Sequence, residues 1–230
     1  MTWKQQRILF KFPARDREDK FFSTLGIYHK LMINHEDFQF LITVDEDDPI
    51  LTSDGVKDKL KAFKNTKLIV GPPNGKIDAV NRDMDQADPW DIVVLVSDDM
   101  IPKVTGFDML IRKDMFKHFP DTDGVLWYND GHQEDKLNTL CILGKKYYER
   151  FGYIYYKRYK SLYCDNDFME VSKRLGKVVY NSLCIIEHQH WAWGYGEMDT
   201  LYQKNEMHIQ HDHDVFQKRM AVNFELEMAL

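Results

Sequence analysis

The 230-residue chain carries 30% charged and 13% aromatic residues at a net charge of −6. That length suits one domain with a sizeable core, and that composition excludes a disordered chain and the basic excess of a nucleic-acid binder. Cys141, Cys164 and Cys184 form neither a disulfide framework nor a zinc cluster, and no signal core or run of ~18 apolar residues occurs, so a cytoplasmic protein without an integral membrane segment is expected.

Strand formers Ile8 to Phe12 come first. Asp16 to Asn34 then reads as a helix, with Phe21, Phe22, Leu25, Tyr28, Leu31 and Met32 at helical spacing. Phe38 to Val44 is a second strand, Thr52-Ser53-Asp54 offers the N-cap of a helix to about Lys64, and Lys67 to Val70 is a third strand. Gly71-Pro72-Pro73-Asn74-Gly75 forces a turn, Lys76 to Ala87 is helical, and Asp91 to Val96 is a fourth strand. This alternation predicts an α/β fold with a mostly parallel sheet covered on both faces.

The second half is less regular. Helices are expected over Gly106 to His118 and Asp165 to Leu175, strands over Gly124 to Tyr128 and Lys177 to Ile186, and a strand, loop and helix between Leu140 and Gly152. No linker, repeat or low-complexity run intervenes, so residues 1–230 read as one domain, whose N-terminal half, to residue 105, resembles a nucleotide-binding unit and whose second half, over 106–230, adds sheet, helix and loops.

Chemistry concentrates where strands end. Ile92 to Val96 runs into Ser97-Asp98-Asp99, and the second strand ends in Asp45-Glu46-Asp47-Asp48. An isolated Asp pair is more often a turn or helix cap. Two neighbouring strand ends that both present carboxylates, however, repel unless a cation or hydrogen-bond donors compensate. An EF-hand is excluded by the missing glycine and glutamate of that loop. Arg15, Arg17, Lys76 and Arg82 lie near the same edge, each alone compatible with a solvated surface, while the turn before Lys76 departs from a P-loop in glycine spacing and in having Ile77 after the lysine.

In order and spacing, these segments resemble the GT-A nucleotide-sugar glycosyltransferases, particularly inverting family 2. Phe12-Pro13-Ala14-Arg15-Asp16-Arg17 resembles the first loop, Val44-Asp45-Glu46-Asp47-Asp48 the base-contacting strand end, Gly75 to Arg82 the helix start that carries an asparagine, and Leu95 to Pro102 the metal-binding acidic motif. The resemblance runs from about Ile8 to His213 and implies a Rossmann-like three-layer α/β/α sandwich. It also implies nucleotide-sugar contacts at Pro13, Arg15, Asp45, Lys76, Asn81 and Asp98, and a metal ligand at Asp99. One departure is Ser97, which stands where the motif commonly has its first carboxylate.

Tyr163 to Glu170 is similar to the family segment that sets a catalytic carboxylate at a helix start, which implies Asp167 as general base with Asp165 second. Asp165 could equally be a helix N-cap. His188 and His190 would share one face if their strand continued, and the resemblance implies that one completes a Mn²⁺ or Mg²⁺ shell, His188 standing nearer the strand end. Trp127, Asn129 and Asp130 resemble an acceptor-side wall. His208 to Asp214 reads as a solvated loop, one able to close over the nucleotide.

The expected activity is transfer, with inversion, of a sugar from a nucleoside diphosphate sugar, first a UDP-sugar, to a glycan or other hydroxyl acceptor, with order in His188 to Asp214 excluding water. Two alternatives stand beside it: a catalytically inactive GT-A-like binding domain, favoured by Ser97, and a sugar-nucleotide nucleotidyltransferase, disfavoured because Phe12 to Arg17 has no glycine.

Overall fold

The computed structural model describes residues 2–195, 203–204 and 206–228. The strands are β1 (Ile8–Ala14), β2 (Phe38–Asp45), β3 (Thr66–Gly71), β4 (Ile92–Leu95), β5 (Met100–Pro102), β6 (Val125–Tyr128), β7 (Ile142–Gly144), β8 (Val178–Asn181) and β9 (Ile186–His188). The helices are α1 (Glu18–Leu31), α2 (Asp54–Leu60), α3 (Lys76–Asn81), α4 (Phe107–His118), α5 (Lys145–Phe151), α6 (Cys164–Arg174) and α7 (Ile209–Ala221). Seven strands form one sheet in the order β3-β2-β1-β4-β7-β6-β8, in which β7 alone runs antiparallel to its neighbours. The expected mostly parallel α/β sheet is therefore present. The chain goes outward through β1, β2 and β3 and returns to β4 on the far side of β1, so the strand order reverses between β1 and β4. Clefts form beyond the carboxyl ends of strands at such a reversal.

Alternation along the strands sorts the core onto two faces. Phe10, Phe12, Phe40, Ile42 and Val94 pack under α1, α2 and α4 through Phe21, Leu25, Val56, Phe107 and Ile111. Leu9, Leu41, Val93, Leu95 and Val125 meet α3, α5 and α6 through Ile77, Val80, Tyr147 and Phe168. Each such side chain contributes roughly 1.5–3 kcal/mol by leaving water. Lys11 interrupts the second face. It is fully buried, donates to Thr43 Oγ1 and, at 2.7 Å, to the Arg82 carbonyl, and burial lowers its pKa to about 7.

Several boundaries differ from the sequence expectation for local reasons. The first helix stops at Leu31 because the Asp108 carboxylate takes the N–H groups of Ile33 and Asn34, each at 3.0 Å. The third helix stops at Asn81, two residues before Asp83 enters the left-handed region at φ 67°. The strand expected over Lys177 to Ile186 is two: β8 ends at Asn181, and β9 leaves the sheet to pair antiparallel with β5. The loop expected over His208 to Asp214 is instead the start of α7. No helix among the described residues is long and apolar enough to cross a membrane.

Candidate active site

A cleft of about 1270 Å³ opens at the carboxyl ends of β1, β2 and β4 and extends to α6. Pro13, Arg15, Asp45, Lys76, Asn81, Asp98, Asp99, Asp165, His188 and His190 all line it, so ten of the residues singled out in the sequence come together there.

The β1–β2 end is an arginine–aspartate lattice. Arg15 Nη1 lies 2.6 Å from Asp45 Oδ2 and 2.8 Å from Asp47 Oδ1, and Arg82 Nη2 lies 2.8 Å from Asp45 Oδ1. The donors that relieve repulsion within the acidic run are thus these two arginines. Asp48 does something else. It is buried and accepts from the N–H groups of Asp16 at 2.7 Å, Ile50 at 3.0 Å and Leu51 at 2.9 Å, which shapes the turn after β2. Asn81 is also structural in part: its Nδ2 donates to the Tyr155 carbonyl at 2.7 Å and its Oδ1 accepts from Ile154 N at 2.9 Å.

After β4 the chain turns sharply, and Asp98 and Asp99 diverge. Asp98 faces Arg17, whose Nη1 is 3.2 Å from Oδ1; burial and the Asp99 charge outweigh that arginine and push the Asp98 carboxyl up to about 6. Asp99 accepts from Ser97 Oγ, so the serine at the first motif position orients the aspartate two residues on. Because β5 pairs with β9, His188 is brought opposite Met100, and its Nε2 stands 3.7 Å from Asp99 Oδ2. On its other side Nδ1 is 3.9 Å from Asp130 Oδ2. Burial opposes charge on His188, but these two carboxylates outweigh it and hold the imidazole above its ordinary value.

His190 belongs to the turn after β9. Its Nδ1 accepts from Ala192 N at 3.3 Å, and burial with the neighbouring His188 lowers its pKa to about 4. A neutral ring that accepts at Nδ1 carries its proton on Nε2. His190 is thereby a hydrogen-bond donor, while His188 can offer Nε2 as a lone-pair ligand with Asp130 behind its other nitrogen. No group of three or more His, Cys, Asp or Glu side chains able to hold a metal occurs among the described residues. Asp99 and His188 therefore supply two donors, and any divalent ion between them would take its remaining ligands from phosphate oxygens and water, as hard cations commonly do.

Asp165 lines the cleft from the first turn of α6. Burial raises its pKa, and Lys76 works against that shift. Asp167 does not line the cleft. It is a buried residue of α6, where it accepts from Arg219 at 2.9 and 3.2 Å and from Tyr159 Oη at 2.9 Å. An arginine on α7 that sequence spacing could not associate with α6 has taken the carboxylate expected to be the base.

The expected acceptor wall also lies outside the cleft lining. Trp127 is buried in β6 under Lys173, whose Nζ is 4.8 Å from the ring centroid. Asn129 Oδ1 accepts from Gly131 N at 2.8 Å, and Asp130 is buried, holding the N–H groups of His132 and Gln133 and the Thr139 hydroxyl. Gln133, Leu137, Thr139 and Trp193 line that side instead. Residues 196–202 and 205 of the segment expected to exclude water lie outside the described residues.

The C-terminal helix was missed by the sequence reading, and it supports the Asp165 wall. Asp212, fully buried, accepts from the N–H groups of Lys160, Ser161 and Leu162, each at 2.8 Å. The sequence signal was faint: Val215 and Phe216 are the apolar contacts of α7 with the core, embedded among histidines and aspartates.

No protein-family model and no curated protein sequence matches the chain. Solved structures do. The mannosyltransferase PcManGT from Pyrobaculum calidifontis, in complex with GDP-Man and Mn²⁺, superposes with a TM-score of 0.64 at 13% identity, over 82% of this chain and 60% of that one. TarS from S. aureus in complex with UDP gives 0.62 at 14% identity, over 79% and 60%. Glucosyl-3-phosphoglycerate synthase from Mycobacterium tuberculosis, with Mn²⁺, UDP and glucosyl-3-phosphoglycerate, gives 0.55 at 13% identity, over 80% and 72%. The chain thus spans about 60% of the length of the first two. Its fold is the GT-A fold of nucleotide-sugar glycosyltransferases.

Proposed function

We propose that the chain is a metal-dependent, inverting glycosyltransferase that moves a sugar from a nucleoside diphosphate donor, a UDP-sugar first, to a hydroxyl acceptor. Residues up to about 105 would bind the donor and the remainder the acceptor, in the cytoplasm, where the three free thiols suit a reducing environment. One observation carries the reading: Asp99 and His188 converge on one side of a cleft at the sheet's switch point, and Asp165 faces the same cleft.

Asp99 and His188 would hold Mn²⁺ or Mg²⁺, which when bound supplies Lewis-acid stabilisation to the departing diphosphate. Asp45 keeps a second lone pair on each oxygen despite its two arginines and can accept from an N–H of the nucleoside base, with Arg15 and Pro13 beside it. Asp98, held by Arg17, would face the ribose. Lys76 and the Nε2–H of His190 donate to phosphate oxygens. Asp165 takes the proton from the acceptor hydroxyl as its oxygen bonds to the anomeric carbon and the bond to the β-phosphate breaks, and burial, by raising its pKa, makes it a stronger base than a solvated carboxylate. Asp165 replaces Asp167 in this role because only Asp165 reaches the cleft.

Ser97 is the observation on which the inactive-domain reading rests. Calorimetry with UDP, with and without Mn²⁺, followed by an assay for release of UDP from UDP-sugars, separates the two. Metal-dependent binding with turnover supports the enzyme, binding without turnover supports the inactive domain, and no binding of any nucleoside diphosphate removes both.

A further inference from the structure

A second polar cluster lies on the Asp165 side of the cleft. Ser161 is buried and lines the cleft, yet its Oγ has no hydrogen-bond partner among the described residues. A buried hydroxyl without a partner is costly, and a ligand oxygen that accepts from it relieves that cost. The Ser161 peptide is fixed from both sides: its N–H donates to Asp212 at 2.8 Å, and its carbonyl accepts from Lys76 Nζ at 3.2 Å and Cys164 Sγ at 3.4 Å. Lys160 and Lys157 line the same wall, and neither has a carboxylate partner among the described residues. By contrast, Arg15, Arg17 and Arg82 are each already paired with aspartates.

We propose that Ser161 Oγ, Lys160 and Lys157 form a subsite for a phosphate group carried by the acceptor. The proposal rests on the glycosyltransferase reading. A hydroxyl donor among ammonium groups is matched to a phosphate oxyanion and has no use for a neutral sugar face. Its place beside Asp165 assigns it to the acceptor, because the base must touch the acceptor hydroxyl, whereas the donor diphosphate belongs with Asp99 and His188. Space agrees: the cleft of about 1270 Å³ exceeds the ~300–1,000 Å³ usual for one small ligand.

The test titrates sn-glycerol 3-phosphate, and glycerol as control, into the protein saturated with UDP and Mn²⁺, using wild type and the double variant Lys160→Gln with Ser161→Ala. Ser161→Ala removes a hydroxyl with no hydrogen-bond partner among the described residues, and Lys160 is exposed, so the variant should fold; its melting temperature checks this. The expected result is saturable binding of glycerol 3-phosphate only, weakened about tenfold or more in the variant, with UDP affinity within about twofold of wild type. The proposal is overturned if glycerol 3-phosphate fails to bind. It is equally overturned if UDP displaces it, or if the variant loses UDP affinity instead, since the lysines would then serve the donor diphosphate. Failure of UDP to bind at all removes the donor reading; glycerol 3-phosphate titrated without UDP then decides separately whether the wall binds an oxyanion.

Discussion

Replacing Asp212 by Ala tests whether α7 holds the cleft wall. The substitution leaves the N–H groups of Lys160, Ser161 and Leu162 without the carboxylate that now sits 2.8 Å from each. A hydrogen bond to a charged group contributes about 1.5–3 kcal/mol, and a buried donor left unpaired costs a similar amount. The three share one acceptor and water recovers part of the loss, so the expected destabilisation is roughly 3–5 kcal/mol, a large part of the ~5–15 kcal/mol of a typical domain. For a chain of this size that lowers Tm by roughly 10 °C. Urea unfolding at several pH values adds a sign. Burial alone would push the Asp212 carboxyl up, but hydrogen bonds from His211, Leu162, Lys160 and Ser161 hold it below the usual carboxylate range. A depressed folded value means a contribution fully present above the unfolded pKa of about 3.9 and lost as pH falls through the folded value. The gap between wild type and Asp212→Ala should therefore be full at about pH 6 and narrow below about pH 4. A gap under about 1 kcal/mol near neutrality, or one that does not close in acid, refutes the reasoning.

Asp165→Asn should lower transfer by about a hundredfold or more while UDP binding persists; retained transfer would remove Asp165 as the base. Asp167→Asn should do the reverse, costing roughly 1–3 kcal/mol in urea unfolding because the buried Arg219 loses its buried carboxylate and keeps only Glu225 and the Phe224 carbonyl. His188→Ala should weaken Mn²⁺-dependent UDP binding about tenfold or more, and an unchanged Mn²⁺ requirement in calorimetry would exclude it as a ligand. Gly144→Ala would drive a Cβ into the Thr122 carbonyl oxygen, so a loss of folded protein is expected and a wild-type melting curve would contradict the packing of β7.

The first half of the fold was legible because its signals are local. Phe38 to Asp45 is buried along its whole length, and a run of strand formers ending in aspartate announces both the strand and its end. Cleft residues from strand ends came with it, since in a parallel sheet those ends share an edge. What stayed hidden depends on contacts distant in sequence. Nothing near Asp167 signals Arg219, and nothing near Asp45 shows that both its oxygens are taken by arginines. The three-residue strands β5 and β9 are too short to show a period, and Pro102 within one argues against a strand until its edge position is known. Trp127 looked like a sugar platform because aromaticity is visible in sequence and burial is not.

The β5–β9 ribbon has three residue pairs and stands apart from the main sheet. Two strands alone are marginal in water, so this ribbon relies on Met100 and Ile186 packing into the core, and it forms a seam between distant parts of the sequence. Asp99 and His188 sit on opposite sides of that seam, and an ion gripped by both would act as a removable cross-link across it. Such an ion would add its binding free energy to the folded state. Chelation would then loosen the seam itself, exposing the Lys103 amide, which donates to the Ile185 carbonyl, to exchange while the seven-stranded sheet stays closed.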